Sequence, residues 1–322
     1  MVDRSRTENL RMGALDPATP SSSSSSYSYS KAANTDIRSP SSTASPLPPS
    51  VSRLWRPAAQ RNLRNQWSKL AALRQQWNSA SSSGRSHATS LVNAYLSEKY
   101  MPSMELGVLS DMPDIRKKAS WKFFRQQELH RSKVLSSYKD LVDVVTQMAR
   151  LSKSMRCYLK ASSSTPLVQF SGCSEDMNDP GDGGGIPVFA FRSISCFEKL
   201  AEELVQMFIF ELNLKRLLVL ELLSLSCESS MVKRFNWSDE LYAGEFNDLS
   251  VCNLYSGEAS EPVKPRLLVS KSDVPTARHT QQLNHETMQV YLTTWLAEVN
   301  IDSQRVDEIF SEIREEMHVN IS

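Results

Sequence analysis

The hydrophobic pattern around which the chain is organised lies in residues 195–225. Apolar residues at heptad spacing form one seam along this segment, namely Phe197, Leu200, Leu204, Met207, Leu214, Leu218 and Leu225. Other apolar residues cover the remaining faces, namely Phe208, Ile209, Leu212, Val219 and Leu222. The pattern predicts a core helix that protein surrounds on most sides, and the seam is a candidate contact for a partner helix.

Charged residues define the start and the environment of this core helix. Ser195 and Glu198 have the spacing of a capping box, which predicts a helix start at Ser195. Glu211 and Lys215 are i,i+4 partners in the favourable order, which predicts one solvent-exposed edge. These charges, with Arg216, exclude a membrane span. Apolar surroundings can also raise the pKa of Glu211.

Residues 62–100 predict a second long helix, because one heptad frame contains Leu63, Trp67, Leu70, Trp77, Ala88, Leu91 and Tyr95. The same frame places Arg74, Ser81 and Gly84 in the seam. Glycine weakens a helix, so we expect a break or bend near Gly84.

A third helix is predicted from Asp114 to about Lys160. Its later part has a clear apolar seam formed by Val134, Tyr138, Leu141, Val145, Met148, Met155 and Leu159. Its first part is basic, and five residues are candidate contacts for an anionic polymer, namely Arg116, Lys117, Lys118, Lys122 and Arg125.

Three aromatic residues are interleaved with these bases, namely Trp121, Phe123 and Phe124. Bases and aromatic rings together can bind single-stranded nucleic acid by charge and stacking. In most helices, however, such aromatic residues pack inward while the bases face solvent. We therefore expect inward packing here.

The C-terminal residues predict a helical hairpin. Its apolar positions are Met288, Leu292, Trp295 and Val299, followed after a turn by Val306, Ile309, Phe310, Ile313 and Met317. Asp302 is the expected N-cap of the last helix. The fold class that we expect is all-α, an elongated helical bundle or coiled coil with a disordered N-terminal tail and this hairpin.

Composition along the chain predicts four regions. Residues 1–58 form a Ser/Pro-rich basic tail that is too polar to fold alone, and residues 59–160 form two long basic helices. Residues 161–187 are a Gly/Ser-rich linker. Residues 188–322 contain the core helix, acidic loops and the hairpin.

A net charge of +1 hides a strong asymmetry between the two halves. Residues 1–162 contain 25 Lys and Arg against 11 Asp and Glu, whereas the remainder contains 12 against 25. Either the basic half binds an anionic partner, or the acidic half neutralises it within the molecule.

No motif for catalysis, a metal or a cofactor is found in the sequence. The glycine run at residues 181–185 lacks the G-K-[ST] of a phosphate-binding loop and is interpreted as part of the linker. The five histidines and five cysteines do not have zinc-site spacing. We expect a non-enzymatic protein that needs no cofactor. Scattered cysteines and an N-terminus without an apolar run indicate the nucleus or the cytoplasm and cytoskeleton, without secretion or a membrane.

Two resemblances add to this picture. The repeated dipeptide Gln66-Trp67 and Gln76-Trp77, in a basic surround, is similar to the plant microtubule-binding family named for a Gln-Trp-Arg-Phe motif, although Ser68 and Lys69 replace its Arg-Phe. Three stretches, SHATSLVN at 86–93, GIPVF at 185–189 and YLTTWLAEVN at 291–300, together resemble a land-plant family of helical proteins. That resemblance implies a helical body after residue 60 and assigns no site residue.

These features indicate a non-enzymatic scaffold or adaptor of the nucleus or cytoskeleton, and a microtubule or spindle-associated role in cell division is its most concrete form. One alternative is a DNA- or RNA-associated protein in recombination or transcription, which would use the same five bases. Another is an obligate subunit of a helical complex, whose isolated chain would aggregate because its core helix is too apolar.

Overall fold

A computed structural model describes residues 49–160, 167–170, 179–225, 235–258, 261–266 and 285–318. These residues lie in one compact unit. The fold is all-α, as expected. The elongated coiled-coil form stays a prediction, and the tail up to residue 48 lies outside the described residues.

Six helices and two short strand pairs make up the described chain. The helices are α1 (Pro49–Tyr100), α2 (Ile115–Ser152), α3 (Ile194–Leu223), α4 (Glu245–Val251), α5 (His285–Ala297) and α6 (Ser303–Met317). Strand β1 (Cys157–Lys160) pairs antiparallel with β2 (Leu167–Phe170), and β3 (Tyr255–Ser256) pairs with β4 (Glu261–Pro262). Two short 3-10 turns, Met101–Ser103 and Gly107–Leu109, connect α1 to α2.

Helices α1 and α2 form an antiparallel hairpin. Asn62 near the start of α1 donates to the carbonyl of Met155, just after α2, at 3.1 Å, whereas Glu98 near its end accepts from Gln127. Helix α3 packs on this hairpin, and its apolar residues are buried on nearly all sides. The burial of their apolar residues confirms the core helix, the α1 seam and the α2 seam from Val134 to Met155, whereas the side chain of Leu159 lies outside the described part.

Helix α1 differs from the prediction at its start and at its middle. It begins at Pro49, ten residues before the predicted start of the helical region at residue 59, because Trp55 is fully buried and donates to the Cys157 carbonyl at 2.8 Å. It also continues through Gly84 without the predicted break. Gly84 faces the indole of Trp295, so the missing side chain makes room for a ring of another helix.

The predicted linker at residues 161–187 is also wrong in part. Helix α2 ends at Ser152, eight residues early, and the chain turns into the β1–β2 pair. The glycine run then packs against the core. A Cβ at Gly183 would lie 2.3 Å from the Trp55 ring, and one at Gly181 would lie 2.6 Å from the Tyr158 ring. Both glycines have positive φ, which suits residues without a side chain.

Two helix starts were predicted from capping patterns, with opposite outcomes. Asp302 caps α6 as predicted, since its carboxylate accepts from the amides of Gln304 and Arg305. The capping box at Ser195 is wrong, because α3 begins at Ile194 and Ser193 is its N-cap residue. Glu198 instead pairs with Arg156, 2.8 Å away, and this ion pair ties the start of α3 to the segment before β1.

Gly84→Ala tests the close packing of α1 on α5. Alanine favours helix by about 1 kcal/mol over glycine, but its Cβ would lie 2.7 Å from Trp295 Cζ2. We expect a net loss of unfolding free energy of about 1–3 kcal/mol, measured by urea denaturation. Ser83→Ala, at an exposed neighbouring position, is the control and should not destabilise. A stabilised Gly84→Ala variant would contradict this packing.

Candidate functional site

The predicted partner-helix seam of α3 is not available to a partner. Five of its six candidate residues are at most 8% exposed, namely Phe197, Leu200, Leu204, Met207 and Leu218, and Leu214 is half-buried. Trp77 illustrates how the same chain covers this helix, since its ring meets Phe208 edge-on at 5.3 Å between centroids. The seam is therefore part of the internal core of the protein.

A charged cluster is also buried on α3, where a solvent-exposed edge was predicted. Lys215 and Glu211 are both fully buried, with Lys215 Nζ 3.5 Å from Glu211 Oε1. Lys215 also donates to the Trp295 carbonyl at 3.0 Å and lies 3.4 Å from Glu298. Glu298 in turn accepts from the Trp77 indole and the Ser81 hydroxyl. This cluster joins α1 and α3 to the turn between α5 and α6.

A second buried cluster surrounds Arg216. Its guanidinium pairs with Glu245 at 2.8 Å and donates to the carbonyls of Trp237 and Asp239. Tyr138 donates to the same carboxylate at 2.7 Å. Arg216 thereby connects α2, α3 and the chain that leads into α4.

Buried groups with shifted pKa values can serve acid–base chemistry, and the first cluster contains two of them. Burial raises the pKa of Glu211 and lowers the pKa of Lys215, so each carries its charge less readily than in water. The groove that we find, of about 440 Å³, lies elsewhere, between α1 and α2 beside Lys69 and Arg150. The central charges of both clusters, Lys215, Glu211, Arg216 and Glu245, are fully buried and tie helices together, so we interpret the clusters as structural.

Metal and membrane sites were also sought in the part of the chain that the structure describes. No three His, Cys, Asp or Glu side chains come together there in a group that could hold a metal ion. None of the described helices is long and apolar enough to span a membrane.

The most exposed part of the described chain is the end of the α1–α2 hairpin. We call residues 101–126 the tip, and none of its side chains is buried. Eight of the 14 exposed large hydrophobic residues of the described chain lie in or next to the tip, namely Tyr100, Met104, Val108, Leu109, Met112, Trp121, Phe124 and Leu129. Such clustering of exposed apolar residues is typical of an interaction site.

The five predicted contact residues all lie on this tip, in the first turns of α2. Arg116, Lys117, Lys118, Lys122 and Arg125 are all exposed. None of them forms an ion pair with a described carboxylate. Arg116 donates to the Met104 carbonyl at 2.6 Å. This bond holds the connector, residues 101–114 between α1 and α2, against α2. The tip therefore presents a set of positive charges that its surroundings leave available.

The aromatic residues between these bases do not pack inward as predicted. Trp121 is 62% exposed and Phe124 is 36% exposed, whereas Phe123 is half-buried. Helix α1 ends at Tyr100, so the side of α2 that carries Trp121 and Phe124 has no neighbouring helix at the tip. The Arg125 guanidinium lies 5.3 Å from the Trp121 ring centroid. Bases and exposed rings thus share one surface.

Few ion pairs between described residues connect the acidic half to the basic half. Among described residues, two ion pairs connect residues before 163 with residues after it, Arg74 with Asp307 and Arg156 with Glu198. Other carboxylates of the second half pair within it, as Glu312 does with Arg192 and Arg305. No described carboxylate of the second half forms an ion pair with the bases of the tip.

Sequence analysis did not identify one further exposed residue, Phe191. Phe191 is 86% exposed on the loop before α3, and a single carboxylate oxygen of Glu316 accepts from the amides of Ala190, Phe191 and Arg192. Phe189, two residues earlier in the segment VFAF, is buried. The position of Phe191 two residues after a buried ring was the only sequence signal for its exposure. The loop holds an aromatic ring in solvent in a defined position.

Lys215→Met tests the buried cluster on α3. The methionine fills a similar volume but leaves Glu211 and Glu298 without their cation, so we expect a loss of about 3–5 kcal/mol of unfolding free energy. Urea denaturation followed by circular dichroism measures it. The control is Lys199→Met at an exposed position of α3, which should change stability by at most about 0.5 kcal/mol. Equal effects of the two substitutions would contradict the paired, buried state of Lys215.

A histidine pair between α1 and α2 predicts a pH dependence of stability. The rings of His87 and His130 lie 6.2 Å apart, and burial, Lys133 and His87 lower the pKa of His130 below its ordinary value of 6.5. The unfolded chain then binds the proton more readily than the folded one. Stability should be complete above pH 6.5 and fall as the pH decreases below it.

Urea midpoints measured across this pH range check the histidine prediction. The decline should be shallower in His130→Gln than in the unsubstituted protein, whereas His285→Gln, at the exposed start of α5, should leave it unchanged. An unaltered decline in His130→Gln would assign the pH dependence to other groups.

Comparison with known proteins finds no relative from which to transfer a function. No protein-family model matches the sequence, and no curated protein is significantly similar to it. The resemblance to a land-plant family stays a prediction. The exposed bases and aromatic rings of the tip are therefore the features that bear on function.

Proposed function

We propose that this protein is a non-enzymatic α-helical adaptor of the nucleus or cytoskeleton that binds an anionic polymer through the tip. The observation that carries the proposal is the exposure of Arg116, Lys117, Lys118, Lys122 and Arg125, none paired with a described carboxylate. Positive charges left unpaired on one surface attract an anionic partner over distances of about a Debye length.

Local electrostatics support the same proposal. The first turn of α2 contains three bases and no acidic residue, so the bases lie at the positive end of the helix dipole. Each such charge is unfavourable by about 0.3–1 kcal/mol at low ionic strength. An anionic partner relieves this repulsion, and its binding is correspondingly more favourable.

A microtubule is the first candidate polymer. Its outer surface is acidic, and the basic Ser/Pro-rich N-terminal half and long helices of this chain fit a microtubule or spindle-associated role in cell division. Glu105, Asp111 and Asp114 lie within the tip and limit its net charge, so the contact would depend on the bases of α2 rather than on the connector.

Nucleic acid is the second candidate, and the exposed ring of Trp121 favours it. Charge alone serves either polymer, but an exposed aromatic ring beside bases provides a surface on which a nucleobase can stack. This version corresponds to a DNA- or RNA-associated role in recombination or transcription.

The third hypothesis, an obligate subunit that is unstable alone, has less support. The apolar seam of α3 packs within its own chain, so the isolated protein has a filled core. A protein partner of the adaptor would instead contact exposed side chains such as Phe191.

Replacing the five tip bases together tests the proposal. The full chain carrying Arg116→Gln, Lys117→Gln, Lys118→Gln, Lys122→Gln and Arg125→Gln should lose at least about tenfold in affinity for its polymer. Each base that pairs with a negative charge of the polymer releases counterions on binding, and the variant loses these contributions. Cosedimentation with microtubules and fluorescence anisotropy with labelled oligonucleotides, both at low salt, measure the affinity.

A matched control removes five exposed bases elsewhere, namely Arg61, Lys69, Arg150, Lys153 and Lys199. This variant has the same net charge and should keep most of the affinity. Equal losses in the two variants, or no binding of the unsubstituted protein to either polymer, would refute the proposal. A deletion that tests the tail must stop at residue 48, since α1 begins at Pro49.

A further inference from the structure

We infer that the tip is a stacking platform for single-stranded nucleic acid, with Trp121 and Phe124 contacting bases and the surrounding Lys and Arg side chains contacting phosphates. This inference rests on the proposed function, because it names the polymer that the tip binds. It begins from the exposure of two aromatic rings that the sequence pattern had placed inside.

The positions of these residues on α2 put rings and charges on one side of the helix. At about 100° per residue, Trp121 lies about 40° from Lys117 and about 40° from Arg125 around the helix axis. Phe124 and Lys118 lie about 60° from Trp121, on opposite sides. Trp121 is therefore at the centre of a helical face bordered by positive charges, which is the arrangement that single-strand binding sites use.

The opposite side of α2 continues into its contact with α1, where Gln127 donates to Glu98. Ile115, Ala119 and Phe123 recur every four residues and are all half-buried, and Gln127 continues the same line and is buried. The rotation of α2 is thereby determined by the hairpin, and the Trp121 face is directed away from it. Trp121 is the sole exposed tryptophan of the six, since the other five are at most 9% exposed.

The exposed indole of Trp121 favours a ligand that stacks on it over one that is held by charge alone. An exposed indole leaves a large apolar area in water, and covering it with a nucleobase removes that cost. The Arg125 guanidinium already lies near the ring, where it can contact a phosphate while the ring contacts a base. A microtubule surface supplies carboxylates for the lysines but no general partner for Trp121.

Duplex DNA fits the same face less well. Its bases are already stacked on one another, so Trp121 gains no base contact and the affinity comes from phosphates alone. An anionic membrane also fits poorly, because the carboxylates of Glu105, Asp111 and Asp114 lie among the apolar residues of the connector. The combination of rings and bases therefore selects an unpaired strand.

Anisotropy titration of the full chain with fluorescein-labelled oligo(dT) tests the inference. Trp121→Ala should weaken binding by about 5- to 150-fold, which corresponds to the loss of one stacked base, whereas Trp121→Phe should keep most of the affinity. Binding of a labelled duplex should change less than about twofold in Trp121→Ala. The intrinsic fluorescence of Trp121 should also be quenched by unlabelled oligo(dT).

Salt dependence separates stacking from charge. The plot of log affinity against log salt concentration should fall with a slope of about −2.8 if Lys117, Lys118, Lys122 and Arg125 contact phosphates, and each Lys→Gln substitution should reduce its magnitude by about 0.7. Trp121→Ala should leave the slope unchanged while lowering the affinity. Phe191→Ala is the matched control, since it removes an exposed aromatic ring near the other end of α1 and should have no effect.

Each outcome bears on one of the two proposals. If oligo(dT) binds and the affinity is the same in Trp121→Ala, the stacking inference is wrong while polymer binding by the bases stands. If microtubules bind and oligo(dT) does not, the inference is again wrong and the adaptor proposal stands in its cytoskeletal form. If neither binds, both are wrong.

Discussion

The fold depends on burying two adjacent cations of α3 and pairing both. Lys215 and Arg216 are fully buried, and an unpaired charge in such a place would cost several kcal/mol. Their partners come from distant segments: the Trp295 carbonyl and Glu298 for Lys215, and the Trp237 carbonyl and Glu245 for Arg216. Because an ion pair tolerates little displacement, the α5–α6 turn and the segment before α4 must close on α3 in one arrangement. The apolar packing around these pairs is then possible in one register.

This use of the interior determines where function can lie. The surface of α3 that is most hydrophobic in sequence is covered by its own chain, and the buried carboxylates of Glu211 and Glu245 are held by Lys215 and Arg216. The core therefore leaves no large apolar surface or free carboxylate of α3 for a partner. A partner would bind to parts of the protein that extend beyond the core. The tip is such a part, because α2 continues beyond the region where α3 covers the hairpin and its outer side stays in solvent.

Hydrophobic periodicity predicted the long helices well because it records which side of a helix is buried. Every apolar residue of the α1 seam from Leu63 to Tyr95 is buried, and Asp302 caps α6 through a contact within two or three residues. The errors occurred where a residue serves a distant neighbour. Gly84 suggests a weak helix in isolation, yet it accommodates Trp295, more than 200 residues away in sequence. Gly183 suggests a flexible linker, yet it packs against Trp55.

The sequence by itself determined the helical fold class, the apolar seams and the charge asymmetry, since these follow from residue type and local spacing. The same local signals identified the five bases of the tip as a candidate site. Tertiary structure alone decided that Trp121 faces solvent while Trp77 and Trp295 do not, because exposure depends on whether another element reaches that face. It also decided that Glu211 and Lys215 are buried and do not lie on a solvent-exposed edge. A solvent-exposed and a buried i,i+4 ion pair have the same sequence spacing and differ only in what packs over them.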